Sequence, residues 1–391
     1  MNPSIEIQGR CDPRFARVRD AFAREFAAGN EIGAAVCVTV EGEAVVDLWG
    51  GHRDAERTRP WQRDTLANVF STTKGITAIA LHRLVDEGCV DLDAPVAHYW
   101  PEFARGGKER ILVRQLLSHE AGLAAVRRRL QPMSLYDWDA MVEALAEQTP
   151  WWEPGTAHGY HALTFGWLVG EVIRRVRRRS VGAVVRDEIA RPLGVEFEIG
   201  FGPELDTRVA PLVAGPVHAP EEGSAFDFAA AMAADPEGLL ACVFGNPPPL
   251  DPEIVNSRAW RAAEIPAANG HTNAHSLARI FAALANGGAA GGVRLLSPAA
   301  VERARTEQVN GPDKVLPMPT RLGLGFFLSS DFEPLGPNPG AFFHAGAGGS
   351  LGMADPEHRL SFGYVMNLMH FGLWLSDPRP RRLLAAAYGC L

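Results

Sequence analysis

A serine and a lysine three residues apart form the first pair in this sequence that could do chemistry together. Ser71 and Lys74 lie in the stretch Phe-Ser-Thr-Thr-Lys-Gly, at the start of an apolar helical pattern that runs to Gly88. Residues three apart share one helix face, and a helix N-terminus favours developing negative charge. Because a nucleophile needs a neighbouring base and donors for the oxyanion, the stretch predicts a serine nucleophile beside an amine.

Lysine is rare in this chain. Lys and Arg together number 38, and the only lysines are Lys74, Lys108 and Lys314. Lysine can lose its proton when it is desolvated, whereas arginine cannot. Lys74 is therefore a candidate for proton transfer, although the spacing alone also fits a surface lysine.

Two further stretches could contribute to the same chemistry. Tyr160, just before a predicted helix, could act as a base if nearby positive charge favours the phenolate over a reference pKa of about 10; it could equally be a core residue. Small residues follow His344 along a late predicted strand. Such residues allow an acyl group to approach the backbone or form a tight corner of a sheet.

In this order the three stretches resemble the serine β-lactamase and penicillin-binding-protein fold. The resemblance is closest to the family VIII carboxylesterases, which are esterases on the class C β-lactamase scaffold. It covers about residues 15–370. The other stretches that fit it are 116–123, 152–155, 164–171 and 266–270.

The resemblance implies a role for each candidate residue. Ser71 would be the nucleophile that forms an acyl-enzyme, and Lys74 would help to deprotonate it. Tyr160 would be the general base and later the acid that protonates the leaving alkoxide. The N–H groups of Ser71 and Ala347 would form the oxyanion hole. The site residues that bind the substrate would also include His344 and Gly346.

Two departures from the class C pattern bear on the substrate. Where that pattern has Tyr-x-Asn, this chain has Ala162, and where it has Lys-Thr-Gly, this chain has His344, Ala345 and Gly346. An imidazole carries less charge than an ammonium at neutral pH. Both losses favour an uncharged ester over a penicillin, and weak β-lactam hydrolysis stays open.

Two apparent motifs are excluded by their context. Residues 348–352 fit the G-x-S-x-G nucleophile elbow, but a strand pattern follows Ser350 where the elbow needs a helix. His119 and Glu120 do not form a zincin motif, because position 123 is Leu. Three tryptophans are equally plausible as pocket walls and as core residues: Trp151, Trp152 and Trp260.

The elements that must position these residues follow from periodicity and turn chemistry. The predicted helices are 12–28, 71–88, 135–147, 165–178, 276–286 and 377–389. The predicted strands are 34–40, 44–49, 322–329, 341–345, 351–354 and 360–366. Residues 203–256, rich in Pro, Gly and Asp, are expected to form a long loop or cap.

Strands at both ends and helices in the middle predict an α+β fold of the β-lactamase/transpeptidase type. Its antiparallel sheet would be built from both termini and flanked by helices. We expect residues 1–88 and 290–391 to form the sheet domain and residues 89–289 to form an inserted, mainly helical domain. The active site would lie at their junction, where clefts usually form.

Composition limits the partners. A net charge of −8 suggests no nucleic-acid partner, and the basic run 174–179 fits a helix end that complements the dipole. The five scattered cysteines form no C-x-x-C, so neither a disulfide framework nor a zinc site is indicated. No cofactor is expected. With no secretory pattern and no membrane-length apolar run, we expect a cytoplasmic enzyme without a membrane partner.

The leading hypothesis is a serine esterase that hydrolyses short-chain carboxylic esters, as small-molecule substrates, through acyl-Ser71. The open alternatives are a β-lactamase or D-Ala-type peptidase and an acyltransferase on the same scaffold. A binding module without turnover is a fourth possibility. The sequence leaves the oligomeric state open.

Overall fold

An antiparallel sheet of nine strands, drawn from both ends of the chain, is the centre of the fold. The structure, a computed structural model, describes residues 5–218, 228–247, 251–373, 375 and 377–391. The strands of this sheet and of the smaller sheets, numbered in chain order, are β1 (Gln8–Cys11), β2 (Gly33–Val40), β3 (Glu43–Gly51), β4 (Ala67–Asn68), β5 (Phe197–Glu198), β6 (Val213–Val217), β7 (His271–Thr272), β8 (Ala289–Ala290), β9 (Val293–Arg294), β10 (Val309–Pro312), β11 (Pro319–Leu322), β12 (Phe327–Leu328), β13 (Phe342–Ala345), β14 (Leu351–Asp355), β15 (Leu360–Met366) and β16 (Leu368–Phe371).

The large sheet has the strand order β1-β3-β2-β15-β14-β13-β12-β11-β10, so the N-terminal hairpin pairs with a strand near the C-terminus. The hairpin of β2 and β3 turns at Glu41 and Gly42, both of which have positive φ, as a tight hairpin turn requires. β15 pairs antiparallel with β2 from Leu360 to Met366. The predicted α+β fold with a sheet built from both termini is confirmed.

The α-helices of the described residues cover both faces of this sheet and form the helical region beside it. They are α1 (Ala16–Ala27), α2 (Thr72–Asp86), α3 (Val96–Tyr99), α4 (Val113–Leu117), α5 (Trp138–Glu147), α6 (Thr164–Arg177), α7 (Val181–Val185), α8 (Phe228–Ala234), α9 (Leu239–Gly245), α10 (Pro252–Val255), α11 (Arg258–Ala262), α12 (Ala274–Ala285), α13 (Pro298–Arg305) and α14 (Pro378–Tyr388). α1 and α14 pack together on one side, and α12 packs on β2, β14 and β15. α2 contacts both β13 and α6, so it joins the sheet to the helical region.

The long helix α12 lies directly on the sheet, although it falls inside the predicted helical insertion. Two glycines allow this approach. A Cβ at Gly363 would lie 2.5 Å from the Ala274 carbonyl oxygen, and a Cβ at Gly352 would lie 2.4 Å from the Phe281 ring. The division into domains at residues 88 and 290 stays a prediction.

Two predicted elements differ from the structure. The single strand predicted for 322–329 is two short strands, because Gly325, at φ +88°, turns the chain against α2. A Cβ there would lie 2.3 Å from the Cβ of Ala78. The long loop predicted for 203–256 contains β6, α8, α9 and α10, while residues 219–227 and 248–250 lie outside the described ranges.

The basic run at the end of α6 is paired with carboxylates, as expected for a solvated helix end. The ion pairs are Arg174–Asp139, Arg174–Glu171, Arg175–Glu171, Arg175–Glu102, Arg177–Glu87, Arg177–Glu188, Arg179–Asp187 and Arg179–Glu188. In the described ranges, no helix has both the length and the apolar character that a membrane crossing needs.

Candidate active site

Ser71 immediately precedes α2, at the point where that helix meets the sheet and the helical region. The preceding residue, Phe70, has a positive φ of 40°, which turns the chain sharply into the helix. Val69 is held there by a backbone hydrogen bond of 2.8 Å to the Gly270 carbonyl oxygen. Ser71 is therefore partly exposed to a cavity while the first turn of α2 behind it is buried.

Lys74 is fully buried, and its amine touches three oxygens. Nζ lies 2.9 Å from Ser71 Oγ, 2.7 Å from the Ala162 carbonyl oxygen and 2.9 Å from the Ala267 carbonyl oxygen. Burial disfavours the ammonium and holds the pKa of Lys74 well below its usual range. No ion pair of the described residues includes Lys74.

These three contacts also suit a neutral amine. Such an amine has two N–H donors and one lone pair, and a carbonyl oxygen can only accept. The two carbonyls of Ala162 and Ala267 take the two N–H groups, which leaves the lone pair for the Ser71 hydroxyl. The arrangement can therefore accept the proton of Ser71 without leaving any group unpaired.

Tyr160 lies beside both Ser71 and Lys74. Its hydroxyl hydrogen-bonds to the Ser71 side chain, and Lys74 Nζ is 4.8 Å from the ring centroid. Burial raises the pKa of the phenol; the hydrogen bond to Ser71 lowers it and the nearby Asp313 carboxylate raises it further. Burial therefore disfavours the phenolate, and it also disfavours the Lys74 ammonium that would stabilise it. The role of Tyr160 as a general base stays a prediction.

His344 does not supply the charge that a Lys-Thr-Gly lysine would supply. It is buried, and its Nδ1 donates to the Ala345 carbonyl oxygen at 2.9 Å. Burial lowers the pKa of His344 to about 3, with a smaller effect from Lys74. The uncharged ring packs against Phe327 and Tyr160, and His344 is not among the described residues that line the cavity. Its predicted contact with substrate stays a prediction.

The loop after β13 lies against the turn that carries Ser71. Gly346 donates to the Ser350 carbonyl oxygen at 2.8 Å, and a Cβ at Gly346 would lie 2.1 Å from the Val69 carbonyl oxygen. Only glycine permits that approach. Ala347 is exposed and lines the same cavity as Ser71. In the described ranges, the backbone N–H groups of Ser71 and Ala347 make no hydrogen bond, so both remain available as donors.

The sequence analysis did not identify Arg379, whose side chain binds the loop after β13. Arg379 is fully buried and donates to the Gly348 carbonyl oxygen at 2.5 Å. It also forms ion pairs with Asp377 and Glu31 at 2.7 and 3.1 Å, and burial raises the pKa of Glu31 to about 7. One arginine among several in the last helix pattern carries no sequence signal for this position.

Ser350, the serine of the G-x-S-x-G stretch, is buried. Its Oγ donates to the Val69 carbonyl oxygen at 2.8 Å and lies 3.0 Å from Thr72 Oγ1. It therefore supports the Ser71 turn and is not exposed to a substrate.

The cavity in front of Ser71 has a volume of about 450 Å³ and is mainly apolar. One wall comes from the α8–α9 region, and another comes from β16 and the segment after it. Apart from Asp377, which is paired with Arg379, no charged side chain of the described residues lines it. The three tryptophans of the sequence analysis are absent from this lining. The apolar side chains of the two walls are Met232, Val243, Phe244, Pro247, Met369, Phe371, Leu373 and Leu375.

Comparisons with known proteins agree with this geometry. The family model described as Beta-lactamase matches residues 18–386. The Esterase/beta-lactamase LipL of Mycobacterium tuberculosis is 38% identical over 388 residues, which cover 95% of this chain and 85% of the relative.

Two solved structures are similar over nearly the whole chain. The crystal structure of a family VIII carboxylesterase is 45% identical with a TM-score of 0.90, covering 99% of this chain and 100% of that one. A penicillin-binding-protein homologue from Caulobacter crescentus is 41% identical, also with a TM-score of 0.90, and the coverage is 99% and 100%. The resemblance drawn from the motifs is confirmed.

Proposed function

The chain belongs to the Beta-lactamase family, and we propose that it is a serine esterase that hydrolyses neutral carboxylic esters through an acyl-Ser71 intermediate. The observation that carries the proposal is the buried Lys74 amine, 2.9 Å from Ser71 Oγ with its two N–H groups already engaged. The names of the relatives, an esterase/beta-lactamase and a family VIII carboxylesterase, support the same activity.

Acylation begins at the Ser71 hydroxyl. Oγ attacks the ester carbon while its proton passes to Lys74 Nζ, and the oxyanion is stabilised by the N–H groups of Ser71 and Ala347. The bond to the leaving alkoxide then breaks, and Tyr160 donates its phenolic proton to that oxygen. The Lys74 ammonium returns its proton to the phenolate, so both groups regain their resting state and an alcohol leaves.

Deacylation repeats these steps with water. A water molecule attacks the acyl carbon and gives a proton to Lys74, while the same two N–H groups hold the oxyanion. Ser71 Oγ then leaves with the Tyr160 proton, and Lys74 restores the phenol. The acid is released, and the enzyme returns to its starting protonation state.

The cavity supports a neutral substrate. The β-lactam carboxylate needs a cation, and the position of the Lys-Thr-Gly lysine is occupied here by an uncharged histidine, His344. The lining carries Asp377 but no Lys or Arg among its described members. An apolar acyl or alcohol group would gain about 25 cal/mol for each Å² that it buries. The short acyl chain stays a prediction from the sequence.

The test is a panel of p-nitrophenyl esters of rising acyl length, run beside nitrocefin and a D-Ala-D-Ala peptide. We expect ester turnover to exceed lactam and peptide turnover by at least about 100-fold, since a buried unpaired charge in the wrong substrate costs several kcal/mol. A phosphonate probe should label Ser71 and not Ser350. Faster lactam turnover would favour a β-lactamase, and no turnover of any substrate would favour a binding module.

An added alcohol separates hydrolysis from acyl transfer. Free acid as the main product supports the esterase, while an ester of the added alcohol would support the acyltransferase.

The cytoplasmic location also stays a prediction. The five free cysteines fit a reducing compartment.

A further inference from the structure

Tyr160 lies in a stretch that belongs to no helix or strand. Residues 157–161 have no regular structure, and α6 begins only at Thr164. The backbone hydrogen bonds of a helix or sheet therefore do not fix its position. Since a misplacement of about 1 Å can cost about 100-fold in rate, something else must hold this phenol beside Ser71.

Three successive N–H groups of this stretch are bound by two distant residues. Gly159 donates to the His119 carbonyl oxygen at 3.1 Å, and His161 donates to His119 Nδ1 at 3.0 Å. Between them, Tyr160 donates to Asp313 Oδ1 at 3.0 Å. The backbone around Tyr160 is thus bound from two sides by residues far away in the chain.

His119 is suited to this task. It is buried, and burial holds its pKa well below the usual range, so the ring is uncharged and Nδ1 is free to accept. The ring also packs on Tyr160 and on Phe165, with centroid distances of 5.0 and 5.2 Å. Its backbone is left-handed, at φ +62°, which directs both its carbonyl oxygen and its ring to the same stretch.

Asp313 is itself held in one orientation. Its Oδ1 also accepts from the N–H groups of Val315 and Leu316, at 2.8 and 2.9 Å, and its Oδ2 accepts from Thr320 Oγ1 at 3.1 Å. His158 Nε2 lies 2.9 Å from the same hydroxyl oxygen. A carboxylate with this many donors is a rigid support.

We propose that His119 and Asp313 are positioning residues. They bind the backbone on either side of Tyr160 and thereby fix where its hydroxyl lies. They do not touch the substrate. The inference rests on the proposed function, because it assigns their effect to the proton that Tyr160 donates. The Asp313 carboxylate has a second effect, since it raises the pKa of Tyr160. Besides Lys74, the described titratable groups near this ring include three imidazoles with lowered pKa: His119, His161 and His344.

The test compares Asp313→Ala with Asp313→Asn. The alanine removes every contact of the carboxylate, whereas the amide oxygen of asparagine can still accept from Tyr160. We expect Asp313→Ala to lower kcat about 30- to 100-fold with KM within about twofold. Asp313→Asn should recover kcat to within about fivefold of the wild type.

The matched control is Asp54→Ala. Asp54 is a buried carboxylate in a surface loop that also accepts from two backbone N–H groups and a threonine hydroxyl, those of Thr58 and Arg59. Its loss should lower stability without changing kcat. A kcat loss in Asp54→Ala equal to that in Asp313→Ala would mean that only stability is being measured, and would overturn the proposal.

The second residue has its own pair of variants. His119→Asn keeps an acceptor near the Nδ1 position and tolerates the left-handed backbone, whereas His119→Ala keeps neither. We expect His119→Ala to lose about tenfold more kcat than His119→Asn. Should Asp313→Ala fail to fold, Thr320→Val removes only the hydroxyl that orients the carboxylate, and a severalfold loss of kcat is expected, with recovery in Thr320→Ser.

Deuterium uptake separates this proposal from the esterase assignment. If the proposal is right, the amides of 157–163 exchange faster in Asp313→Ala than in the wild type or Asp54→Ala, whether or not any ester is hydrolysed. An active wild type with unchanged kcat and unchanged exchange in Asp313→Ala would overturn the positioning role and leave the esterase intact. A wild type that hydrolyses no ester would overturn the esterase alone.

Discussion

Lys74 and Lys108 are both fully buried lysines whose amines each touch three oxygens, but only one of them is beside a group that can give up a proton. The three neighbours of Lys108 are backbone carbonyls, those of Arg105, Ala146 and Gln148, at 2.6, 2.8 and 2.6 Å. Carbonyl oxygens only accept, so all three N–H groups of an ammonium are needed to satisfy them. Lys108 is therefore held as a cation that closes a loop.

At Lys74 the third neighbour is the hydroxyl of Ser71, which can donate as well as accept. Burial lowers the pKa of both lysines, that of Lys108 to about 8 and that of Lys74 well below its usual range. Burial alone therefore does not make a lysine a base. The amine must also have a place for its lone pair, and here the nucleophile provides it.

The largest expected effect comes from removing each amine. Lys74→Met should lower kcat/KM by about 1,000-fold or more, because the proton acceptor is lost. Lys108→Met should instead lower the free energy of unfolding by about 3 kcal/mol or more, since three buried carbonyls lose their donors. Kinetics with p-nitrophenyl acetate and urea unfolding of both variants measure this.

Replacing each lysine with arginine separates the two roles further, because arginine cannot lose its proton. Lys74→Arg should be as inactive as Lys74→Met, and Lys108→Arg should keep wild-type kcat. An active Lys74→Arg variant would contradict the role given to the amine.

The next effect concerns the aromatic ring beside each lysine. Lys74 Nζ is 4.8 Å from the Tyr160 ring centroid, and Lys108 Nζ is 5.4 Å from that of Phe103. Tyr160→Phe makes the first site resemble the second and should lower kcat about 100- to 1,000-fold, as expected for a lost general acid. Phe103→Leu should leave kcat unchanged. Wild-type turnover in Tyr160→Phe would remove the phenol from the mechanism.

A smaller effect is expected at the glycine near each site. A Cβ at Gly346 would meet the Val69 carbonyl oxygen at 2.1 Å and push the loop after β13, which carries Ala347, away from Ser71, so Gly346→Ala should lower kcat about 10- to 100-fold. Gly106, at φ +67°, has the amine of Lys108 3.3 Å from its would-be Cβ. Gly106→Ala should lower stability by about 1 kcal/mol with kcat retained. Steady-state kinetics and thermal melts separate the two results.

The smallest effect is the pH dependence. A lowered pKa means that Lys74 is a neutral amine above that pKa and an ammonium below it. kcat/KM should therefore fall about tenfold for each pH unit below the lowered value, and should be level at pH values where an ordinary lysine, with a pKa of 10.5, is still charged. Lys108→Met should show the same profile. A rate that rises tenfold per unit up to about pH 10 would contradict the neutral amine.

The sequence was sufficient to find the reacting groups that lie close together in the chain. Ser71 and Lys74 are three residues apart, so their spacing places them on one helix face, although the same spacing also fits a surface lysine. Tyr160 was found only through the order of three motifs, since nothing local brings it to Ser71. The carbonyls of Ala162 and Ala267, which accept hydrogen bonds from the Lys74 amine, come from distant segments and have no side-chain signature.

The same limit applies to the fold. β2, β3 and β15 are predicted from their β-like composition and the turns beside them. β2 and β15 are buried on both faces, whereas the residues of β3 alternate between buried and partly exposed positions. The packing of α12 on the sheet depends on two glycines, Gly352 and Gly363, whose role appears only when the helix lies over them. Arg379 and Asp313 look like ordinary charged residues in the sequence, because burial and partners, and not residue type, give them their roles.

We expect Lys74 to be a neutral amine in the folded enzyme at neutral pH, and the small number of lysines allows its protonation state to be measured directly. The chain contains three lysines, so protein labelled only at lysine with ¹³C and ¹⁵N should give three side-chain signals. Lys74→Met and Lys108→Met assign two of them by loss. At pH 7 we expect an amine shift for Lys74 and an ammonium shift for Lys108; an ammonium shift for Lys74 would mean that its amine is protonated and that it is not the resting base.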